Sequence, residues 1–299
     1  MKNVLLYNYN LEPESLEKVG EYDVCFYLDY EKYYFVVFDR PLENLEEIAI
    51  IANSPNNNFH KIIKNKFDSL TTPYMGRNFV LLKINGPENN EIDILDIIKD
   101  TVNYENDKSS LLRTDWGNLW STKVDYLEYQ ISELGTTHKV ARHSFSYYVG
   151  LAENAIEYFN LLKPERLSTV VSHRRIRNPF RSREYYDPLD IVIDYIPRDY
   201  SSYFKMKFFE DADIIREVRI LVDKNILSPL EYNLLFARLL YPSYYFDDLQ
   251  RVLEKDASDD ILLKYIERVD KYEEFLRNVY DIFRSRSSML KIDWLIKTS

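Results

Sequence analysis

The hydrophobic residues of this 299-residue chain change their spacing partway along the sequence. Near the start, Tyr22–Leu28 and Tyr33–Phe38 are short aromatic and β-branched runs separated by a polar turn, which predicts a β-hairpin. Further on, Trp116–Leu134 and His138–Leu162 carry apolar residues at the three- and four-residue spacing of amphipathic helices. Strands followed by helices predict an α+β fold with a mostly antiparallel sheet.

A polar stretch rich in Gly, Pro and Asn, Asn85–Asn90, is the best candidate for a boundary. We therefore predict an N-terminal β-rich lobe over residues 1–85, a hinge over 86–91 and a mainly helical C-terminal lobe over 92–299. The other predicted helices are Pro41–Ala52, Ile92–Val102, Ser201–Val222, Pro229–Leu240, Tyr245–Leu253 and Ser258–Arg284. His60–Phe67 is predicted to form a short amphipathic turn or helix. The other predicted strands are Phe79–Ile84, Leu167–Ser172 and Leu189–Asp194.

Composition argues against several classes of protein. The net charge of −10 disfavours a sequence-independent DNA-binding protein, which needs a basic surface. The longest apolar runs, such as Ile48–Ala52, are far too short to span a bilayer, and the N-terminal sequence does not resemble a signal peptide. The single cysteine, Cys25, and four histidines without metal-ligand spacing predict neither a disulfide nor a structural metal. We expect a soluble, cytoplasmic protein.

Aromatic residues are abundant, and two interpretations stay open for the 26 tyrosines. An AT-rich genome would enrich them without any function, whereas a protein of a shell could use them for cross-linking. The stripe of Trp116, Trp120 and Tyr126 is expected to lie in the core rather than to line a ligand pocket.

The segment 173–183, with the sequence HRRIRNPFRSR, concentrates positive charge in an acidic chain. It contains five arginines and no acid: Arg174, Arg175, Arg177, Arg181 and Arg183. Guanidinium groups bind phosphate and carboxylate through paired hydrogen bonds, so the segment is a candidate anion-binding or partner-docking site. Alternatively, the arginines pair with nearby acids such as Asp187, Asp190, Asp194 and Asp199. A less favoured alternative is RNA binding, with Phe180, Tyr185 and Tyr186 stacking on bases.

The order of elements, together with two late motifs, resembles the kinase-like fold of aminoglycoside phosphotransferases. Val170–His173 occupies the place of the strand that ends in that family's His-Gly-Asp motif, and Ile193–Tyr195 occupies the place of its Ile-Asp-aromatic motif. Several stretches are similar to the spore-coat branch of this superfamily in Firmicutes, the CotS and YutH type: Trp116–Trp120, Ser172–Arg175, Asp194–Asp199 and Ala237–Pro242. The resemblance implies a bilobal fold with a small antiparallel sheet lobe and a helical lobe.

Most parts that phosphoryl transfer requires are missing when the family's pattern is followed along this chain. The glycine-rich loop is absent, since Gly20 is the only glycine before the hairpin. The second hairpin strand is predicted to hold no lysine, since Lys32 precedes it and Arg40 follows it. The glutamate that would pair with such a lysine is Glu46 or Glu47 on the next helix, although surface charges are the better interpretation of both.

The loop 173–175 is degenerate as well. The catalytic base is expected at the position of Arg175, and a guanidinium cannot accept a proton. The metal-binding Asn aligns with Phe180, with Asn178 as a weak substitute. Asp194 is the only retained candidate metal ligand, and we expect it to be a hydrogen-bonded loop residue. Asp199 is expected to be a helix N-cap.

The resemblance therefore implies a catalytically degenerate protein, a pseudokinase-like interaction or scaffold protein associated with the spore coat. No catalytic residue is expected in the loop His173, Arg174 and Arg175, and neither a cofactor nor a metal is expected. The expected partner is a protein, such as a spore-coat component, rather than a membrane or a nucleic acid. The alternative is a small-molecule phosphotransferase with an atypical active site, which would use ATP and magnesium.

Overall fold

The computed structural model describes residues 1–134, 137–164 and 167–296. The chain divides into two compact units. The first unit comprises Met1–Asp96, Tyr104–Leu112 and His173–Ile193, and the second comprises Ile97–Asn103, Arg113–Ser172 and Asp194–Ser299. The units are discontinuous in sequence, whereas the segments predicted at 1–85, 86–91 and 92–299 are continuous. The arginine-rich segment thus belongs to the same unit as the N-terminal sheet.

The first unit is built on a six-stranded antiparallel sheet in the order β1-β2-β3-β6-β4, with β5 paired to β6. Its strands are β1 (Glu17–Lys18), β2 (Val24–Leu28), β3 (Glu31–Val37), β4 (Lys61–Ile63), β5 (Thr72–Tyr74) and β6 (Arg77–Lys83). Strand β3 lies at the centre, where Tyr34 pairs with Cys25 on one side and with Leu82 on the other. The antiparallel sheet predicted from the early aromatic runs is confirmed.

The predicted hairpin is formed by β2 and β3. Its two turn residues, Asp29 and Tyr30, both adopt positive φ, of 49° and 66°, as the tight turns of β-hairpins require. Alternate residues of the strands point into a core in which the rings of Phe35 and Phe79 stack with their centroids 4.7 Å apart. This core anchors the sheet.

Helices complete the first unit. They are α1 (Lys2–Tyr9), α2 (Glu43–Asn53), the short α6 (Ser182–Tyr185) and a 3-10 turn over Pro188–Asp190; α3 (Ile94–Lys99) crosses the division between the units. Of the turn or helix predicted over 60–67, the helix is wrong, because Lys61–Ile63 form β4, and a turn that the Asn65 side chain organises follows. Helix α1 was not predicted, since no capping signal marks its start.

The second unit is mainly helical. It contains α4 (Trp116–Leu134), α5 (Lys139–Leu162), α7 (Pro197–Phe209), α8 (Ile214–Lys224), α9 (Pro229–Leu240), α10 (Ser243–Leu253), α11 (Leu263–Ile266), α12 (Val269–Phe283) and α13 (Asp293–Ile296). Strand β7 (Val102–Asn103) pairs antiparallel with β8 (Thr169–His173). Strand β9 (Ile191–Tyr195) crosses the division, ending in the second unit with Asp194 and Tyr195. The long helices α4 and α5 confirm the predicted amphipathic stripes.

Two predicted helices are each broken in the structure. The one over 201–222 is α7 and α8, which are separated by Glu210–Asp213, where Asp211 has a φ of 58°. The one over 258–284 is a 3-10 turn (Asp259–Leu262) followed by α11 and α12. Apolar residues continue at helical spacing across both breaks, so spacing alone predicts one continuous helix in each case. In the described ranges, no helix combines the length and the apolarity that crossing a membrane demands.

Candidate functional site

The carboxylate of Asp194, at the end of β9, lies in a buried network of hydrogen bonds within the second unit. The residue is 0% exposed. Its Oδ1 accepts hydrogen bonds from the indole Nε1 of Trp116 and from the backbone N of Tyr195, both at 2.8 Å. Its Oδ2 accepts a bond from Arg198 Nη1 at 2.5 Å and lies 3.7 Å from Arg238 Nη1. Asp194 is therefore a fully satisfied structural carboxylate.

Local sequence explains how these partners reach Asp194. Pro197 starts α7 directly after β9, so Arg198 lies in the first turn of this helix, four residues after the aspartate. Arg238 comes from the last turn of α9, and its guanidinium is 4.6 Å from the centre of the Trp116 ring while its Nε donates to Ser201 Oγ at 3.1 Å. Both guanidinium groups are almost fully buried. Two cations thus lie where a metal bound to Asp194 would have to sit.

The sequence anticipated only part of this network. The expectation that Asp194 is hydrogen-bonded agrees with the geometry, but its two arginine partners were missed. Arg198 follows Asp194 by four residues but lies on a helix while Asp194 lies on a strand, and Arg238 is distant in sequence, so neither pair carries a sequence signal. The prediction for Asp199 is wrong: it lies inside the first turn of α7, whose N-cap residue is Ile196. The expected core position holds for Trp116 and Trp120, but Tyr126 is exposed.

The loop that begins the arginine-rich segment lies in the first unit and is fixed by its backbone. His173 is buried, its Nε2 lies 2.7 Å from the carbonyl oxygen of Tyr185, and the two rings stack. Arg174 donates its backbone N–H to the carbonyl of Asp190 at 2.8 Å, and its Nε is 3.8 Å from the Asp190 carboxylate. Arg175 donates from Nη1 to the carbonyl of Arg174 at 2.8 Å. Both arginine side chains are exposed.

The remaining arginines of the segment divide into exposed and inward-facing ones. Arg177 and Arg181 are exposed, and Arg181 donates to the carbonyl of Asn89 at 3.1 Å. Arg183 is half-buried with its guanidinium 4.4 Å from the centre of the Tyr34 ring. The structure therefore brings four arginines to the surface of one segment: Arg174, Arg175, Arg177 and Arg181.

The apolar residues of the same segment face inward. Ile176, Phe180 and Tyr185 are buried, and the edge of the Phe180 ring meets the rings of His173 and Tyr185. A buried ring cannot stack on a base, so Phe180 and Tyr185 do not serve the RNA-binding alternative. Partial burial also raises the pKa of Asp187 to about 6 and raises the pKa of Asp190. The segment thus places exposed cations beside two partly buried acids.

The residues considered for a lysine–glutamate pair make other contacts. The prediction that Lys32 precedes its strand is wrong, because β3 begins at Glu31. Lys32 Nζ contacts Glu88 Oε2 at 2.6 Å, and Tyr34 donates to Glu88 Oε1 at 2.7 Å. Although burial alone would raise it, these hydrogen bonds hold the pKa of Glu88 below its usual value.

The glutamates of α2 and the nearby arginine are also accounted for. Glu47 accepts hydrogen bonds from Tyr104 and Ser109, each at 2.9 Å, and a further one from Asn106. Glu46 is exposed. Arg40 donates to the carbonyls of Leu189 and Ile191. Glu88, rather than a glutamate of α2, is thus the carboxylate that Lys32 contacts. Over the ranges that the structure describes, no group of three or more His, Cys, Asp or Glu side chains could hold a metal ion.

Solved structures resemble this chain over nearly its whole length. The aminoglycoside phosphotransferase of Alicyclobacillus acidocaldarius matches with a TM-score of 0.66 and 10% identity, over 95% of this chain and 97% of that one. Spectinomycin phosphotransferase, crystallised with ADP and spectinomycin, matches with a TM-score of 0.58 and 11% identity, over 95% and 97%. The chain therefore has the bilobal, kinase-like α+β fold of aminoglycoside phosphotransferases.

Sequence comparison gives the family. The endospore coat-associated protein YutH of Bacillus subtilis (strain 168) is 26% identical over 266 residues, which cover 78% of each protein. The family described as "Spore coat putative kinase YutH" matches residues 2–279. Since that match covers most of the chain, the protein belongs to the YutH family of spore-coat proteins with a kinase-like fold.

Proposed function

We propose that this protein is a spore-coat-associated binding protein that uses a kinase-like fold without transferring phosphate. The observation that carries the proposal is the buried network of Asp194, in which Arg198, Arg238 and Trp116 contact the carboxylate that would otherwise bind magnesium. Coat association is supported by family membership and by the Bacillus subtilis relative.

Electrostatics opposes a metal ion at Asp194. A divalent cation would have to displace two guanidinium groups or lie beside them, and either arrangement is repulsive. Displacement would also leave buried charges without partners, a cost of about 3–5 kcal/mol for a buried ion pair. Magnesium sites keep water ligands and add substrate phosphates to one or two carboxylates. A fully buried carboxylate that accepts three hydrogen bonds and lies 3.7 Å from a second guanidinium suits a structural role.

The segment that resembles the catalytic loop lacks a proton acceptor. Arg175 stands where relatives with the His-Gly-Asp motif have an aspartate, and its guanidinium stays protonated at any pH that the protein meets. The backbone N–H groups of Val19 and Gly20 both donate to the carbonyl of Asp23, so the turn before β2 uses them internally instead of presenting them to a phosphate. These observations favour a binding role.

The binding surface that we assign to this role is the set of four exposed arginines, Arg174, Arg175, Arg177 and Arg181. All four are exposed, and backbone hydrogen bonds hold both ends of their segment: Arg174 donates its N–H to the carbonyl of Asp190, and Ser182 donates its N–H to the carbonyl of Asn90. Forked donors on a rigid segment suit carboxylate-rich or phosphorylated surfaces. An acidic coat component is the partner that this surface fits.

A thermal-shift titration with ATP and magnesium tests the absence of a nucleotide site. A ligand that binds the native state at a hundred times its Kd raises stability by about 2.7 kcal/mol. We expect no shift at millimolar nucleotide. The control is the Arg175→Glu/Arg177→Glu variant, since ATP could also bind the arginines as a simple anion. A magnesium-dependent shift that survives this variant, with turnover on a hydroxyl substrate, would support a phosphotransferase instead.

Coat association is tested separately. A fluorescent fusion of the full chain, produced in sporulating cells, is expected to co-purify with the coat fraction of the spores. Fluorescence that remains in the soluble fraction after coat extraction would contradict this part of the proposal.

A further inference from the structure

Helix α2 exposes two large apolar side chains on its outer face. Ile48–Ala52 are five consecutive apolar residues, which together turn through more than a full helical turn. Ile48, Ala49, Ile51 and Ala52 are buried, but Ile50 is 70% exposed, and Leu42 at the start of the helix is 50% exposed. The outer face of α2 thus presents these two apolar side chains to solvent beside the exposed Glu43 and Glu46.

A groove runs along this face. One wall is the outer side of α2 with Leu42, Leu45, Ala49 and Ile50, and the other is the loop 64–71 with Leu70. We call it the α2 groove. Its volume is about 640 Å³, within the range of roughly 300–1,000 Å³ that ligand sites occupy. The site is large enough for two or three bulky apolar side chains.

Both walls are held in place by side-chain hydrogen bonds. Asn65 is buried, and its Oδ1 accepts from the backbone N of Phe67 and Ser69 at 3.0 and 3.1 Å while its Nδ2 donates to the carbonyl of Thr71 at 3.0 Å. Asn53, at the end of α2, bonds to both the N–H and the carbonyl of Ile62. The groove is thus preformed, so binding there would cost little ordering entropy.

The rim of the groove is acidic. Lys64 and Asp68 form an ion pair at 2.8 Å and neutralise each other. Glu46 lies on the rim and is exposed, and Glu43 precedes it by almost one helical turn. A partner group that carries Lys or Arg beside its apolar side chains would complement this charge.

We infer that the α2 groove binds an apolar peptide segment of a partner protein, with a Lys or Arg that faces Glu46. The groove is open, since Ile50 is mostly exposed, and an open groove suits a peptide whose far side stays in water. A small molecule would favour a pocket that encloses most of its surface. A second copy of this chain is disfavoured by its net charge of −10. The inference deepens the proposed binding function and rests on it.

Peptide selection on the full chain tests the inference. A displayed library of peptides about a dozen residues long is selected on the wild-type protein with the Ile50→Glu variant in solution as competitor. Ile50 is exposed, so this variant should fold, and its thermal unfolding is checked. We expect enriched peptides that combine two or more bulky apolar residues with Lys or Arg. Their affinity should fall about tenfold or more with Ile50→Glu.

The controls separate the groove from general hydrophobic binding and from the arginine surface. Leu161→Glu changes a similarly exposed leucine on α5 and should leave the affinity unchanged, whereas Glu46→Lys should reverse the preference for basic peptides. Selection that yields no peptide sensitive to Ile50→Glu overturns the inference. Wild-type protein that binds decanoate in the groove but no peptide also overturns it, in favour of a small amphiphile. Nucleotide binding would refute the proposed function without changing this result.

Discussion

The protein uses arginine in two opposite ways. In the second unit, Arg198 and Arg238 are almost fully buried against Asp194, whereas in the first unit Arg174, Arg175 and Arg177 are exposed on a single loop. The buried pair replaces water with a carboxylate, an indole and a serine hydroxyl, whereas Arg174 and Arg175 contact Asp190 and a backbone carbonyl at the surface. Burial therefore distinguishes the guanidinium groups that stabilise the core from those that lie at the surface.

The largest expected effect is the loss of the buried carboxylate. Asp194→Ala should reduce the free energy of unfolding by about 3–5 kcal/mol, because two buried guanidinium groups lose their counter-charge. Urea denaturation followed by circular dichroism measures it. Asp194→Asn keeps the shape and serves as a second variant. A loss below about 1 kcal/mol in both variants would place Asp194 among ordinary surface acids.

The second prediction concerns how the buried histidine His60 makes stability depend on pH. Burial lowers the pKa of His60 to about 4, so between pH 4 and 6.5 the unfolded chain binds more protons at this residue than the folded chain. The contribution of His60 to the free energy of unfolding is complete above pH 6.5. It decreases as the pH falls towards 4, by about 3 kcal/mol in total. Wild-type protein and His60→Gln should therefore differ less in stability at pH 4 than at pH 7. A difference that stays constant over this range would contradict burial as the cause.

The sequence predicts the elements that depend on the spacing of residues close together in the chain. The hairpin around Asp29 and the helices α4 and α5 follow from residues that are neighbours in sequence. The apolar spacing over 60–67 fits a short amphipathic turn or helix, while the hydrogen bonds of Asn65 to Phe67 and Ser69 depend on a side-chain conformation. The α2 groove, whose second wall is the loop 64–71, therefore cannot be predicted from sequence spacing.

The candidate site shows the same limit. Arg175 stands out in the sequence because it interrupts a motif, and Asp194 because it matches one. The contact between Asp194 and Arg238 joins strand β9 to helix α9, and no local period in the sequence indicates it. The inward orientation of Arg183, over the ring of Tyr34, likewise depends on how the sheet packs.

The third prediction concerns binding by the exposed arginines. Arg175→Glu/Arg177→Glu should weaken the binding of an acidic partner about tenfold and change the free energy of unfolding by no more than about 0.5 kcal/mol. Binding to immobilised poly-glutamate, and recruitment of a fluorescent fusion to the coat, measure the first quantity. Arg216→Glu/Arg219→Glu on α8 makes the same charge change at another exposed place. Equal losses in both variants would mean that net charge, rather than this segment, governs binding.

The smallest effect separates a surface ion pair from the buried one. Arg174 Nε and the Asp190 carboxylate are 3.8 Å apart, and both side chains are more than a third exposed. A double-mutant cycle with Arg174→Ala and Asp190→Ala should give a coupling of about 0–1 kcal/mol that disappears in molar salt. The cycle for Asp194 and Arg238 should give a larger coupling that salt hardly changes, because water and ions do not reach the pair. If both couplings fell equally with salt, exposure would not be what distinguishes the two sets of arginines.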